Sequence, residues 1–240
     1  MLKYTRFLIM AVAMLVSGFS IASKADDYSG IKKSISTILP GKKVDVISPS
    51  PVDGVYEVVV GARLLYFSEN GQFMLDGDLF DITERKDLSA PVRENARAKV
   101  VTDAVAKGGI TYKTKDEPKY KVTVFTDIDC GYCRKLHNDM DGYLNHGIEV
   151  SYLFMPRAGL QSNSFRKAVS AVCADDPNKA LTELKNGKTV ADKSCDNKIA
   201  DQYNLAREIG IRGTPGIITE EGKIFPGYLP PDTLLQRLKK

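Results

Sequence analysis

The most reactive side chains in this 240-residue chain are four cysteines, and their spacing divides them into two unlike pairs. Cys130 and Cys133 frame the segment Cys130-Gly131-Tyr132-Cys133, whereas 21 residues separate Cys173 from Cys195. A thiol must be ionised before it attacks a disulfide. At the start of a helix a sulfur faces unpaired backbone N–H groups and the positive end of the dipole, which favour the anion. The run Tyr120–Thr126 reads as a strand, and Leu136, Met140 and Leu144 recur at helical spacing across Arg134–Leu144. Cys130 therefore falls where a strand gives way to a helix, and Cys133 lies one turn further on, within disulfide reach and deeper. The expected chemistry is thiol–disulfide exchange. Cys130 attacks, and Cys133 resolves the mixed disulfide if the substrate fails to leave. A lowered Cys130 pKa is expected, in the ~3.5–7.5 range of such motifs. Arg134, Lys135 and His137 favour the thiolate, while Asp127 and Asp129 oppose it.

Other uses of these cysteines are less consistent with the spacing. Half a zinc site would need Cys173 and Cys195, or His137 and His146, as further ligands, and neither pair has tight ligand spacing. A purely structural Cys130–Cys133 bridge is the other option. The strand–motif–helix setting favours redox chemistry over both, so no metal is expected, and no cofactor beyond the Cys130–Cys133 disulfide. Cys173 and Cys195 lack a setting that would lower a pKa. A bridge between them closes a loop of about 20 residues, with a stabilisation of roughly 3 kcal/mol. They read as a structural disulfide, with a second redox pair as the alternative.

A second signal stands some 80 residues on. Gly213-Thr214-Pro215-Gly216 precedes an apolar strand. Pro215 alone is an ordinary turn residue. Beside the cysteine motif, a cis Thr214–Pro215 bond would place backbone next to the two sulfurs, where peptide groups can pair with an extended substrate. Thr214 can also offer a hydroxyl to the thiolate.

These residues need a scaffold, and the pattern is of mixed α+β and α/β character. Residues 1–25 have a short basic start, an apolar run from Phe7 to Ala22, and Ser23-Lys24-Ala25 before Asp26. That is the layout of a cleaved secretory signal; the apolar run falls short of the ~20 residues that span a bilayer. Removing Lys3, Arg6 and Lys24 from the 34 Lys and Arg leaves 31 against 30 Asp and Glu. Such a near-neutral balance gives no electrostatic case for nucleic acid. Outside the cytoplasm an even cysteine count reads as disulfide chemistry.

Residues 26–86 read as a small N-terminal unit. A helix over Tyr28–Leu39 precedes strand-like runs at 44–47, 55–60, 64–67, 73–75 and 79–82, with a tight turn at Asn70-Gly71. So short a unit buries a thin core, and pairing with a second copy would help it. Residues 87–109 read as a linker whose exposed helix, Pro91–Lys107, ends at Gly108-Gly109; the alternative is a helix packed into the domain on its C-terminal side. Residues 110–240 run strand, helix, strand, helices from 165 to 205, a hairpin at 216–225, and a terminal helix at 233–239.

The segments Val122–Cys133, Arg134–His137, Gly213–Pro215, Pro226-Gly227-Tyr228 and Ser194-Cys195-Asp196 resemble a thioredoxin-fold oxidoreductase. More closely, they resemble the periplasmic disulfide isomerase family of DsbC and DsbG, over essentially the whole chain after residue 25. Gly131-Tyr132 between the cysteines is the DsbC form; DsbG has proline before tyrosine, and the oxidase DsbA has proline–histidine. The resemblance implies a V-shaped homodimer joined through the N-terminal domains, with residues 110–240 as the thioredoxin-like catalytic domain. It also implies a periplasmic location in a Gram-negative bacterium and a DsbD-type membrane reductase that keeps Cys130 reduced. Gly131, Tyr132, Thr214 and Pro215 become the support around catalytic Cys130 and Cys133. Asp129 departs from the small polar residue common in the family. Val124 stands where thioredoxin has a buried acid, so proton removal from Cys133 cannot use that group. The function implied is rearrangement of wrong disulfides in exported proteins, with chaperone-like binding of misfolded chains. The alternatives are a dithiol oxidase and a non-enzymatic chaperone.

Overall fold

The computed structural model describes residues 28–240; the signal segment expected at 1–25 lies outside them. Among the described residues no helix is long and apolar enough to cross a membrane.

The N-terminal unit opens with helix α1 (Ser29–Ile38), which buries Ile31 and Ile35 against Val58, Val60, Leu65 and Phe67. Strands β1 (Val46–Pro49), β2 (Val55–Val60), β3 (Arg63–Ser68) and β4 (Met74–Leu75) form an antiparallel sheet in that order. The first strand starts two residues later than the pattern at 44–47 indicates. The Asn70-Gly71 turn joins β3 to β4, with Tyr66 opposite Leu75. Gly71 takes φ +71°, and a Cβ there would run into the backbone of Gly30 in α1, so only glycine fits. A short ladder of β5 (Phe80–Asp81) and β6 (Lys86–Asp87) comes next.

Helix α2 (Ser89–Gly108) begins two residues before the expected start, and it is not an exposed connector. Ser89 is buried, its hydroxyl 2.6 Å from Tyr66 Oη and accepting from Leu79 N at 2.7 Å. Ala96 packs with Val59, Leu64 and Tyr66, whereas Val101 packs with Phe125 and Leu153 of the C-terminal domain. One helix thus seals against both units. Its apolar stripe is made of short side chains scattered among charges, which is why the pattern looked polar.

The C-terminal sheet has the order β11-β10-β8-β9-β7. Strand β8 (Tyr120–Thr126) runs parallel to β9 (Ile148–Phe154) and antiparallel to β10 (Gly216–Thr219). The edges are β7 (Ile110–Tyr112), too short to stand out in the sequence, and β11 (Ile224–Pro226). Alternation along the strands builds two cores. Val124, Tyr152, Phe154 and Ile217 pack on one face, and Phe125, Leu153 and Ile218 on the other.

The single helix read over 134–144 is two: α3 (Gly131–Asn138) and α4 (Met140–Asn145), broken at Asp139. The stretch read as mostly helical holds α5 (Asn163–Val172), α6 (Pro177–Lys185) and α7 (Ile199–Glu208), separated by a non-helical run at 186–198. Ser162 caps α5 by accepting from Phe165 N at 3.1 Å, and Asp176 caps α6, where Pro177 fills the first turn. Helix α8 (Pro231–Leu238) closes the chain.

Candidate active site

Cys130 is the N-cap of α3, at the carboxyl end of β8, and Arg134 N donates to its carbonyl at 3.0 Å. Both thiols are free. Cys133 is fully enclosed, and Cys130 is only 3% exposed, so the difference in depth between them is smaller than the spacing implied. The hydrogen bond from the Cys133 thiol brings the Cys130 pKa down to about 5 against the opposing effect of burial. Thr214, the Cys133 backbone N–H and the Arg157 charge add to the lowering. Burial pushes the Cys133 thiol far up, so its proton stays on while Cys130 is the anion.

The Thr214–Pro215 bond is cis, and the Cys130 Sγ–H points to the Thr214 carbonyl at 3.3 Å. The Thr214 hydroxyl is buried with no partner in this protonated state, which leaves it available to donate to the thiolate. The Pro215 carbonyl accepts from Gly227 N at 2.9 Å. Beside Thr214 and Pro215 runs a groove of about 360 Å³, lined by Ile211, Gly213, Gly216, Ile224 and Pro226. Tyr132 stands 65% exposed, and a Cβ on Gly131 would meet nothing, so Gly131 is not forced by packing.

The charges around the site differ from those the sequence indicated. Asp127 does not oppose the thiolate freely. Its carboxylate accepts from Ser164 Oγ at 2.6 Å, Arg157 N at 2.7 Å and Asp129 N at 2.8 Å. Burial pushes Asp127 up, but these donors outweigh it and hold the carboxyl below its usual range. Asp129 is neutralised by Arg134 at 3.1 Å and Lys167 at 2.7 Å. His137 supplies no charge: burial, then Lys185, lowers it to about 4, and its ring lies 3.2 Å from Tyr152 Oη and 3.1 Å from Thr182 Oγ1. Lys135 lies over the Tyr228 ring. The cations that reach the cysteines are Arg157 and Lys185, from the loop after β9 and the end of α6. Sequence spacing gave no signal for either.

Cys173 and Cys195 are joined by a disulfide with Cα atoms 5.7 Å apart, tying the end of α5 to the run before α7. His146 pairs with Asp232 at 2.8 Å, away from His137. Among the described residues no group of His, Cys, Asp and Glu side chains is arranged to hold a metal.

Sheet order, a reactive cysteine at the strand–helix junction and a cis proline beside it define a thioredoxin-fold dithiol protein. Residues 109–240 match the thioredoxin-like domain family, and residues 20–90 match the disulfide bond isomerase protein N-terminal domain. The chain is 38% identical over 225 residues to the thiol:disulfide interchange protein DsbC of Escherichia coli K12, covering 93% of this chain and 92% of that protein. It is 37% identical to the DsbC of Salmonella typhimurium, covering 92% and 91%. A disulfide interchange protein of Neisseria gonorrhoeae of known structure is 30% identical, with a TM-score of 0.49, over 55% of this chain and 96% of that one. The chain belongs to the DsbC family of thiol:disulfide interchange proteins.

Proposed function

We propose that this chain is a disulfide isomerase and reductase that rearranges wrong disulfides in exported proteins, with Cys130 as nucleophile and Cys133 as resolving thiol. The observation that carries the reading is the Cys130 sulfur at the α3 N-terminus, with a pKa near 5 and the Thr214 carbonyl 3.3 Å away. A thiolate held so low stabilises the dithiol form, and a cysteine pair of that kind is readily reduced. Cys130 attacks a substrate disulfide and forms a mixed disulfide. The freed substrate thiol attacks a better partner and regenerates Cys130. If it stalls, Cys133 closes the Cys130–Cys133 bond and releases reduced substrate. A DsbD-type membrane reductase then restores the dithiol. The groove along Thr214 and Pro215 is where an extended substrate segment lies, positioned by Thr214, Pro215, Gly131 and Tyr132; no other cofactor is required.

The protein works as a homodimer in the periplasm, reached through the segment at 1–25. The N-terminal sheet supports this pairing. Its edge strands β1 and β4 expose Val46, Met74 and Leu75, with Phe73 beside β4, and the β5–β6 ladder that comes next exposes Phe80 and Ile82, the last 86% exposed. An open edge with apolar flanks is suited to a second copy of itself. Two catalytic domains then face a shared cleft that binds misfolded chains.

The test is reshuffling of scrambled ribonuclease, with thiol trapping of the resident protein. Cys130→Ser abolishes reshuffling and Cys133→Ser accumulates mixed disulfides. Reshuffling by Cys130→Ser would overturn the assignment, and a Cys130–Cys133 pair found mainly oxidised would transfer it to a dithiol oxidase.

A further inference from the structure

Lys185 is 2% exposed, yet its side-chain nitrogen reaches the floor of the dithiol site. Nζ donates to Thr126 Oγ1 at 2.6 Å and to the Asp127 carbonyl at 2.9 Å, and lies 5.8 Å from the centre of the Tyr152 ring. Among the described residues no carboxylate pairs with it, because the Asp127 carboxylate is turned toward Ser164 and the loop backbone. A buried ammonium without a counter-ion is destabilising, which favours the neutral amine until an anion appears there during the reaction. The Thr126 hydroxyl accepts from Lys185, and the Lys185 charge and this hydroxyl both act to lower the Cys133 thiol against the larger effect of burial. Lysine and hydroxyl therefore stand together beside the Cys133 sulfur. On β8 behind the cysteines stands Val124, which cannot accept a proton.

We propose that Lys185, acting through the Thr126 hydroxyl, is the positioning residue that takes up the proton of Cys133 and holds its thiolate when a mixed disulfide is resolved. This deepens the reading of the site given above and rests on it. In the mixed disulfide, Cys130 Sγ is bonded to a substrate sulfur. With Lys185 as the neutral amine, the Thr126 hydroxyl turns to donate to Nζ and accept from the Cys133 S–H; its own proton goes to the amine and the Cys133 proton replaces it, leaving an ammonium opposite a thiolate. That thiolate attacks Cys130 Sγ. The Cys130–Cys133 bond forms, the Cys130–substrate bond breaks, and its electron pair leaves with the substrate sulfur, which takes a proton from solvent. The two cysteines lose two electrons and the substrate gains them.

The groups facing this pair fix the background against which it titrates. They are Cys130, the Asp127 carboxylate, Arg134, neutral His137 and the Tyr152 phenol. Burial lowers Lys185 to about 8, so its amine form is accessible near neutral pH. Lysine and cysteine titrate as a pair, and the release step depends on the pair and not on either residue alone.

The experiment mixes the reduced full-length protein with a disulfide-linked peptide, quenches with acid and follows the Cys130 adduct by mass. Wild type releases the adduct at a rate that rises with pH and levels near pH 8. In Lys185→Met the rate keeps rising to higher pH, because Cys133 loses its cation. Release at pH 7 then slows about tenfold for each unit of displacement, which is the loss of thiolate. Thr126→Val, which keeps the shape but removes the hydroxyl, displaces the profile in the same direction. Thermal melting separates this from misfolding, since neither variant needs to lose stability for the profile to move. A Lys185→Met release profile superimposable on wild type would overturn the proposal and leave the site reading intact. Absence of any Cys130 adduct in wild type would overturn both.

Discussion

Cys130 Sγ lies 3.3 Å from the Thr214 carbonyl oxygen, although the two are 84 positions apart in the chain. The antiparallel pairing of β8 with β10 makes that contact, with Phe125 opposite Gly216. The nucleophile follows β8 and the backbone beside it precedes β10, so the pairing of these adjacent strands fixes their relation.

The first consequence is a pH profile. With Cys130 lowered to about 5, chiefly by the Cys133 thiol, alkylation by iodoacetamide should be half-maximal near that pH. The rate falls below it, as the thiolate takes a proton, and is flat from about one unit above it. A midpoint near that of a free cysteine, ~8.5, would contradict the geometry.

Asp127 gives a stability prediction. Its carboxyl is held below its usual range in the folded protein, so the stability it adds is fully present above the unfolded pKa of about 4. That stability is lost as pH falls through the lower folded value. Asp127→Asn weakens three hydrogen bonds to a buried charge. It should cost about 2 kcal/mol at pH 7 in urea denaturation, with the difference narrowing toward pH 3.

The Cys173–Cys195 bridge spans 22 positions. The chain-entropy cost it removes from folding is ~3 kcal/mol, so the double variant C173A/C195A should lower the unfolding free energy by about that amount. The enclosed loop contains α6 and Lys185. The same variant should therefore also slow adduct release, measured as in the test of Lys185.

The N-terminal edge makes a prediction about mass. Leu75→Asp with Ile82→Asp places charges on exposed positions at the open end of the sheet. The full-length variant should run as a monomer in size-exclusion chromatography with light scattering. Attack by Cys130 on a small disulfide should continue while reshuffling of a folded protein's disulfides falls.

Local patterns carried much of this architecture. Runs of β-forming residues at 120–126 and 148–154 marked β8 and β9, whose later residues are buried on both faces. Asn70-Gly71 marked a hairpin, since only glycine accepts the turn's φ against the neighbouring helix. Where pattern failed, packing had overridden it. Val101 of α2 is buried by Phe125 and Leu153, and no nearest-neighbour signal records that cover. The break at Asp139 and the short β7 are likewise set by what lies against them.

By itself the sequence singled out Cys130 and Cys133 as the candidate pair and the direction of the Cys130 pKa, because both depend on residues close together along it. Only the tertiary structure decided which charges act on that pair. Asp127 and Asp129 lie next to Cys130 in the chain but are consumed by Ser164, Arg157, Arg134 and Lys167. Lys185 stands 52 positions after Cys133, and yet its charge acts on that thiol. Electrostatic influence depends on distance and burial in space, and neither is written in sequence order.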